Sequence, residues 1–460
     1  MWYAHRCISP RPLLALALAG TLSGCASKEA ITDPPPPVQN GVRVAGRVVQ
    51  WSTDVATRGS VRFGLTRGEF DHMAYPVAAG RRDRQLRTDH EVPLLDLRAG
   101  QRVYFQTVSE APGAPPAISG LDSFTASTSG PNNILTSTMI HIGFGDSHLI
   151  TFPNGRHVLI DGGERQAATA VEEYLAEQNV NSIDAMLATH VHIDHIGGLV
   201  GEFGISNDGV LASRPPILFF DSPQKTFLRS AYDEALQTAS SHGVDTRILT
   251  RGQTSDEVPE LDWDPQVRVT VLASGTPPNY TLSGHEGTDI NNDSIVLRFS
   301  FGDVDFVIGG DAEDFSEASM LEFFDASELD VEYYKAHHHG LPDASSSNWV
   351  ATLRPRVAFV PNTQQVWNGS LKDAIAESSS RFETIGAHVY VVDEARSLDR
   401  FRGDGRQYNV TFTTDGRSYE VRVEVATQTA PSKSAALAAC IAHDEDLQAL
   451  GLVTALAAGP

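Results

Sequence analysis

The sequence predicts an α/β domain over residues about 133–425, preceded by a separate all-β sandwich over 41–130. Three observations predict it. At 460 residues the chain has room for two or three units, at roughly 100–200 residues per domain. From 41 to about 130, short β-rich runs alternate with Gly, Asp and Ser clusters and no stretch has helical spacing. From about 133 onward, apolar strands are interspersed with segments whose apolar residues recur at helical intervals.

The N-terminus, "MWYAHRCISPRPLLALALAGTLSGCAS", has basic residues, an apolar run and then small residues. The run is too short to span a bilayer and reads as an export signal over 1–24. Its end, "LSGC", resembles the lipobox of bacterial lipoprotein signal peptides. That resemblance implies a lipid anchor on Cys25 and, because Ala26 follows, a place at the outer membrane facing the periplasm or cell surface. Loss of Cys7 with the signal and lipidation of Cys25 leave Cys440 alone, so no internal disulfide is expected. Residues 25–40 include four prolines, Pro34 to Pro37, and form a stiff linker.

In the β-rich region, Trp51 in "VVQWSTD", "VRFG" at 61–64 and "HEVPLLDLRAGQRVYF" at 90–105 carry the pattern. It resembles a fibronectin type III-like sandwich, close to the one that precedes the catalytic domain of purple acid phosphatases. It holds no cluster of ligand-type residues, so a spacer or substrate-presenting role is expected.

The α/β region opens with "MIHIGFGDSHLITFPNGRHVLIDGG", in which "PNG" marks a hairpin and an apolar strand runs into Asp161. "ERQAATAVEEYLAEQN" places Ala168, Val171, Tyr174 and Leu175 on one helical face. "SIDAMLATH" is a buried strand that delivers "HVHIDHIGG" at its C-terminal end. In "FVIGGDAED", Asp314 and Glu317 are spaced as a capping box, which places Asp311 in a strand-to-helix loop. "VEYYKAHHHGLPDASS" puts three histidines after a strand, and "YNVTFTTDGRSYEVRVEV" is a second hairpin turning at Asp415 and Gly416. Residues 426–460 are an Ala-rich tail with helix-forming composition.

His190, His192, Asp194 and His195 lie close enough in sequence to serve two adjacent ions better than one. The string matches the HxHxDH signature of the metallo-β-lactamase superfamily, which implies an αββα sandwich. The resemblance assigns His190 and His192 to a first metal and Asp194 and His195 to a second. It makes Asp311 the bridging ligand and Asp161 a residue that orients a ligand from behind. "KAHHHG" resembles the "K..HHGS" segment of the competence-protein (ComEC-type) branch. Registered on "HHG", His338 becomes the second-metal ligand, His339 points to substrate and Lys335 gives local support, with Leu341 replacing the usual serine. Where many members supply a third histidine to the first metal, this chain has "DINNDSIVL". Asn291 or Asn292 occupies that slot, and His285 falls a few residues early. "IHIGFGD" also departs from the branch's "DVGQGD".

The resemblance implies two divalent ions, zinc or alternatively manganese, because an amide oxygen is a poor zinc ligand. A metal-bridged hydroxide oriented by Asp194 would attack, with His339 contacting the substrate. The "HHG" segment and the missing histidine favour a phosphodiester or phosphate ester. A lactone, carboxylic ester or β-lactam hydrolase is the alternative within the fold. A non-catalytic surface-binding or adhesion lipoprotein with a structural metal is the alternative outside enzymes. The charge narrows the partners: 58 acidic against 35 basic residues give −23. Long nucleic acid is therefore disfavoured, and a small or surface phosphodiester is favoured.

Overall fold

The computed structural model of the chain describes residues 34–201, 208–221, 230–281, 284, 286–361, 369–391 and 407–428. The signal segment with Cys25, and His285, Cys440 and the tail beyond 428, lie outside the described residues.

Two sheets face each other. One is six-stranded and begins with the antiparallel run Val267–Ala273, Val296–Phe301 and Val304–Gly309. It continues in parallel through Tyr333–Lys335, Val357–Val360 and His388–Val391. The opposing sheet runs from Asp245–Ile248 through Leu218–Asp221, Ala185–Leu187 and His157–Ile160, all parallel. It then turns antiparallel through His148–Thr151, Leu135–Met139 and the C-terminal hairpin of Tyr408–Thr414 and Tyr419–Val425.

Parallel strands buried on both faces need continuous apolar runs, and "AML", "LFF" and "VAFV" supply them. The space between the sheets is filled by Phe152, Trp263, Phe299, Phe306, Tyr333 and Phe412. Across the gap Tyr333 stacks on Phe412 with centroids 4.8 Å apart, a pairing worth roughly 1 kcal/mol beyond the area it buries. Helices cover both outer faces. Ala168–Glu177 packs Val171, Tyr174 and Leu175 on one side, and Ser347–Leu353 packs Trp349 and Val350 on the other. This gives the mixed α/β layering expected.

Residues 39–125 are strands and turns with one 3-10 turn at Ala79–Arg81, and have their own core of Val49, Trp51, Val61, Phe63, Val92 and Phe105. They share a sheet with the α/β layers. His72–Ala74 pairs on one side with the long strand Val48–Gly64 and on the other with Tyr419–Val425. The joint is reinforced by charge. Arg81 and Arg84 reach the buried carboxylates of Asp330 and Glu332. Arg356 bonds Glu110 at 2.8 Å, and Tyr75 Oη lies 2.8 Å from His388 Nδ1.

The candidate ligands all sit where strands of the α/β layers end. Asp161 follows His157–Ile160, His190 follows Ala185–Leu187, Asp311 follows Val304–Gly309, and the three histidines follow Tyr333–Lys335. That shared edge is where open α/β sheets place their sites.

Candidate metal centre

The motif His190–His195 spans a strand exit and a helix start. His192 is the extended residue before the helix Ile193–Val200, so Asp194 and His195 stand in its first turn. The two glycines that follow let this helix press against the loop after Asp161. A Cβ on Gly198 would lie 1.9 Å from the Gly162 carbonyl oxygen, and one on Gly197 would lie 2.6 Å from Arg165 N. Backbone bonds close that contact: Gly162 N donates to His195 O at 2.7 Å and Gly198 N to Gly163 O at 2.7 Å.

Asp161 adopts φ 59°, a left-handed conformation unusual for a residue with a side chain. It accepts bonds from Thr189 N and Thr189 Oγ1, both at 2.7 Å, and faces His195 Nδ1 at 2.8 Å. Asp161 therefore holds the far side of the His195 ring and leaves Nε2 pointing to Asp311 Oδ2, 3.0 Å away.

Asp311 Oδ2 is also 3.2 Å from His339 Nε2 and 4.0 Å from His190 Nε2, so this carboxylate lies between the two histidine groups. Its backbone N donates to Ser294 Oγ at 2.9 Å. Gly310 has to be glycine here, because a Cβ would sit 2.4 Å from Thr189 Oγ1. The expected capping box at Asp314 and Glu317 does not form. Glu313 precedes the helix, and Glu317 instead accepts Ser345 N at 2.7 Å and Ser346 N at 2.8 Å and faces His337 Nδ1 at 3.0 Å. Of those donors Ser345 N is buried, and a buried N–H needs an acceptor, which Glu317 supplies.

The structure brings His339, and not His338, into the cluster with Asp146, His195 and Asp311. His339 Nε2 lies 3.0 Å from Asp194 Oδ2 and Nδ1 3.1 Å from Asp146 Oδ1, inside the carboxylate cluster. His338 turns away, its Nδ1 3.0 Å from Asp343 Oδ1 and 4.0 Å from Glu313 Oε1. The cause is the backbone: φ is 46° at His338 and 50° at His339, and this tight left-handed turn sends the two rings in different directions. Registering on "HHG" cannot see that turn.

Asp146 is the site residue that sequence reasoning missed. Atoms of Asp146, His195, Asp311 and His339 all lie within 4.8 Å of one another. Buried Lys335 pairs with Asp146, and its Nζ donates to Gly310 O at 3.0 Å and lies 3.9 Å from Asp311 Oδ1. The signal available was the Gly-Asp of "IHIGFGD", read only as a departure from a family pattern. Gly145 is required there, since a Cβ would lie 2.2 Å from Asp194 O.

In the third-histidine slot, Asn291 and Asn292 are buried. Their Nδ2 atoms donate to Glu313 at 3.0 and 3.1 Å, and Asn292 Oδ1 accepts from Ser316 N at 3.1 Å. Asn291 Nδ2 lies 3.5 Å from His338 Nε2. The Asn292 oxygen is thus committed to the helix start.

The charges show what the cluster suits. Burial, reinforced by His195, holds His190 well below the ordinary histidine value, and burial takes His192 down to about 4. Both are neutral imidazoles, the form that binds metals. His192 Nε2 and Asp311 Oδ1 are buried with no hydrogen-bond partner among the described residues. Burial also opposes charge on His195, yet Asp311, Asp161 and Asp194 outweigh it and lift His195 to about 10. Asp311 and Asp146 push His339 up in the same way. A pocket of buried carboxylates that draws protons onto histidines is one that attracts cations, and its mixed nitrogen and oxygen donors fit divalent metal.

Residues 142–323 match the family model described as the metallo-beta-lactamase superfamily. ComE operon protein 3 of Bacillus subtilis (strain 168) is 26% identical over 239 residues, 48% of this chain and 27% of that protein. The anti-Pycsar protein Apyc1 of Bacillus phage BSP38 is 35% identical over 96 residues, 20% of this chain and 34% of that protein. The chain thus spans between a quarter and about a third of the length of these relatives. A purple acid phosphatase from yellow lupin (Lupinus luteus) seeds aligns over 86% of this chain and 73% of its own, at 12% identity and a TM-score of 0.23. That score is too low to support a fold comparison. Among the described residues no helix is long and apolar enough to cross a membrane.

Proposed function

We propose that this chain, a metallohydrolase carrying a metallo-beta-lactamase superfamily domain, hydrolyses phosphodiesters or phosphate esters with two divalent ions, zinc or manganese. His190 and His192 would hold the first ion, Asp194, His195 and His339 the second, and Asp311 would contact both. Such ions supply Lewis-acid polarisation of the attacked group and a nucleophile at neutral pH.

The chain's own residues do the rest. Asp194 accepts a hydrogen bond from the attacking water and so aims it. Asp161 and Thr189 fix the His195 ring. Lys335 balances Asp146 without touching substrate. His338, which faces Asp343 outside the carboxylate cluster, would donate to a substrate oxygen.

The observation that carries the phosphoester reading is the third-histidine slot, where Asn291 and Asn292 turn their amides to Glu313. With two imidazoles in place of three, a first ion would be held by fewer residues of this chain and would be more open to substrate. That suits a phosphoryl group, which brings several oxygens of its own. The strongly acidic surface favours a small or surface-bound phosphodiester over long nucleic acid. Lipidation at Cys25 and an outer-membrane location belong to the same proposal. Cys25→Ala should then release the protein into the soluble fraction.

The test runs bis-nitrophenyl phosphate and a chromogenic cephalosporin side by side on protein of measured metal content. We expect phosphodiester turnover, reduced about a hundredfold or more by His192→Ala. Cephalosporin turnover without phosphodiester turnover overturns the substrate class. Active protein that carries no stoichiometric transition metal overturns the mechanism.

A further inference from the structure

A cavity of about 700 Å³ lies where the N-terminal strands meet the C-terminal hairpin, and it shares no lining residue with the metal centre. Its walls include Arg43, Arg82, Arg87 and Arg417, with Asp89 and Glu91 as the acidic residues of the lining. In a chain of net charge −23 this is a local reversal of sign.

Elsewhere along this joint Arg81, Arg84, Arg354 and Arg356 pair with carboxylates, and Arg58 donates to the carbonyls of Ile385 and Gly386. Among the described residues the arginines in the cavity make no ion pair, and the hydrogen bonds two of them make go to neutral amides. Arg43 Nε donates to Gln50 Oε1 at 2.9 Å and Arg87 Nη2 to Gln85 Oε1 at 2.7 Å. Those bonds orient Arg43 and Arg87, and with four arginines against Asp89 and Glu91 the lining stays net cationic.

The floor adds no charge. Trp51 stacks on His90 with centroids 4.7 Å apart. Trp51 Nε1 donates to Ser109 Oγ at 2.9 Å, and His90 Nε2 lies 2.8 Å from Thr57 Oγ1. Burial holds His90 down at about 4. Gly59 keeps the floor flat, since a Cβ there would lie 2.4 Å from the His90 ring.

Four guanidinium groups around one concavity repel one another and are relieved by an anion. Their planar forks match the paired oxygens of phosphate and carboxylate groups. The volume lies in the range of small-molecule sites, roughly 300–1,000 Å³. We infer that this cavity is a second binding site, for a compact, multiply charged oxyanion, independent of the hydrolytic centre.

The test is titration calorimetry of the full chain with pyrophosphate and, separately, with citrate, at low and high salt. The wild type is compared with the double variant Arg82→Ala/Arg417→Ala and with His192→Ala. Both arginines are exposed and neither makes an ion pair among the described residues, so the double variant should keep the wild-type melting temperature and phosphodiesterase rate. We expect salt-sensitive binding that weakens at least about tenfold in the double variant and persists in His192→Ala. Binding of pyrophosphate alone assigns a phosphate-bearing ligand, and equal binding of citrate assigns a broader polyanion site. The inference is overturned if neither anion binds, if the double variant binds as the wild type does, or if His192→Ala alone abolishes binding.

Discussion

At the scale of single residues, the place of His339, and not His338, in the cluster makes the sharpest prediction. His339→Ala removes a ring that contacts both Asp194 and Asp311. It should lower bound metal by about one ion per chain, whereas His338→Ala should keep the metal and lose turnover, as read by elemental analysis beside kinetics. Lys335→Met tests the support. The change leaves Asp146 buried without its cation and should destabilise the fold by about 3–5 kcal/mol in denaturant unfolding. The ligand motif itself was legible because HxHxDH puts four donors in one local stretch. Asp146 and the roles within the histidine run were not legible. The first depends on Lys335, far along the chain, and the second on two left-handed residues that no side-chain pattern announces.

At the scale of elements, the strands and helices that carry the site followed from apolar periodicity, and both hairpins turn where "PNG" and "DG" placed them. The capping box failed because Glu317 accepts Ser345 N and Ser346 N from another loop instead of capping its own helix. The short strand His72–Ala74 could not be foreseen as the seam between two regions. Three residues carry no period, and their partner strand lies at the other end of the sequence.

That seam titrates. Burial works against charge on His72, but hydrogen bonds with Asp71 and Asp96 outweigh it and lift the ring to about 9. A histidine held above its unfolded value of 6.5 stabilises the fold fully below about pH 6.5 and loses that contribution as pH rises through 9. Both aspartates are about half exposed, so screening reduces the effect to about 1–2 kcal/mol. Melting curves at pH 6 and pH 9.5 should show this loss in the wild type and a smaller one in His72→Gln.

At the scale of the whole molecule, composition separated a β-rich region from an α/β one, yet the structure joins them through one sheet and a set of buried ion pairs. Local pattern has no access to that joint, because it is made between residues hundreds of positions apart. A chain beginning at residue 131 would expose the edge of Tyr419–Val425 and strip Arg81 and Arg84 from Glu332 and Asp330. Glu332 loses both of its arginines while Asp330 keeps Arg354, and breaking a buried pair costs about 3–5 kcal/mol against a total stability of roughly 5–15 kcal/mol. The truncated chain should therefore aggregate through its open edge, as read by solubility and circular dichroism.

The first strand, Gln39–Ala45, pairs through its backbone with Val48–Gly64, lies off the main path of the large sheet, and is tied beyond that partner by the Gln39 side chain, which bonds Thr107, Ser109 and Ala117. A pull on the residues ahead of it would load that ribbon and the Gln39 side-chain bonds before the strands that seat the candidate metal centre. The molecule has, in effect, a mechanical fuse at its leading end.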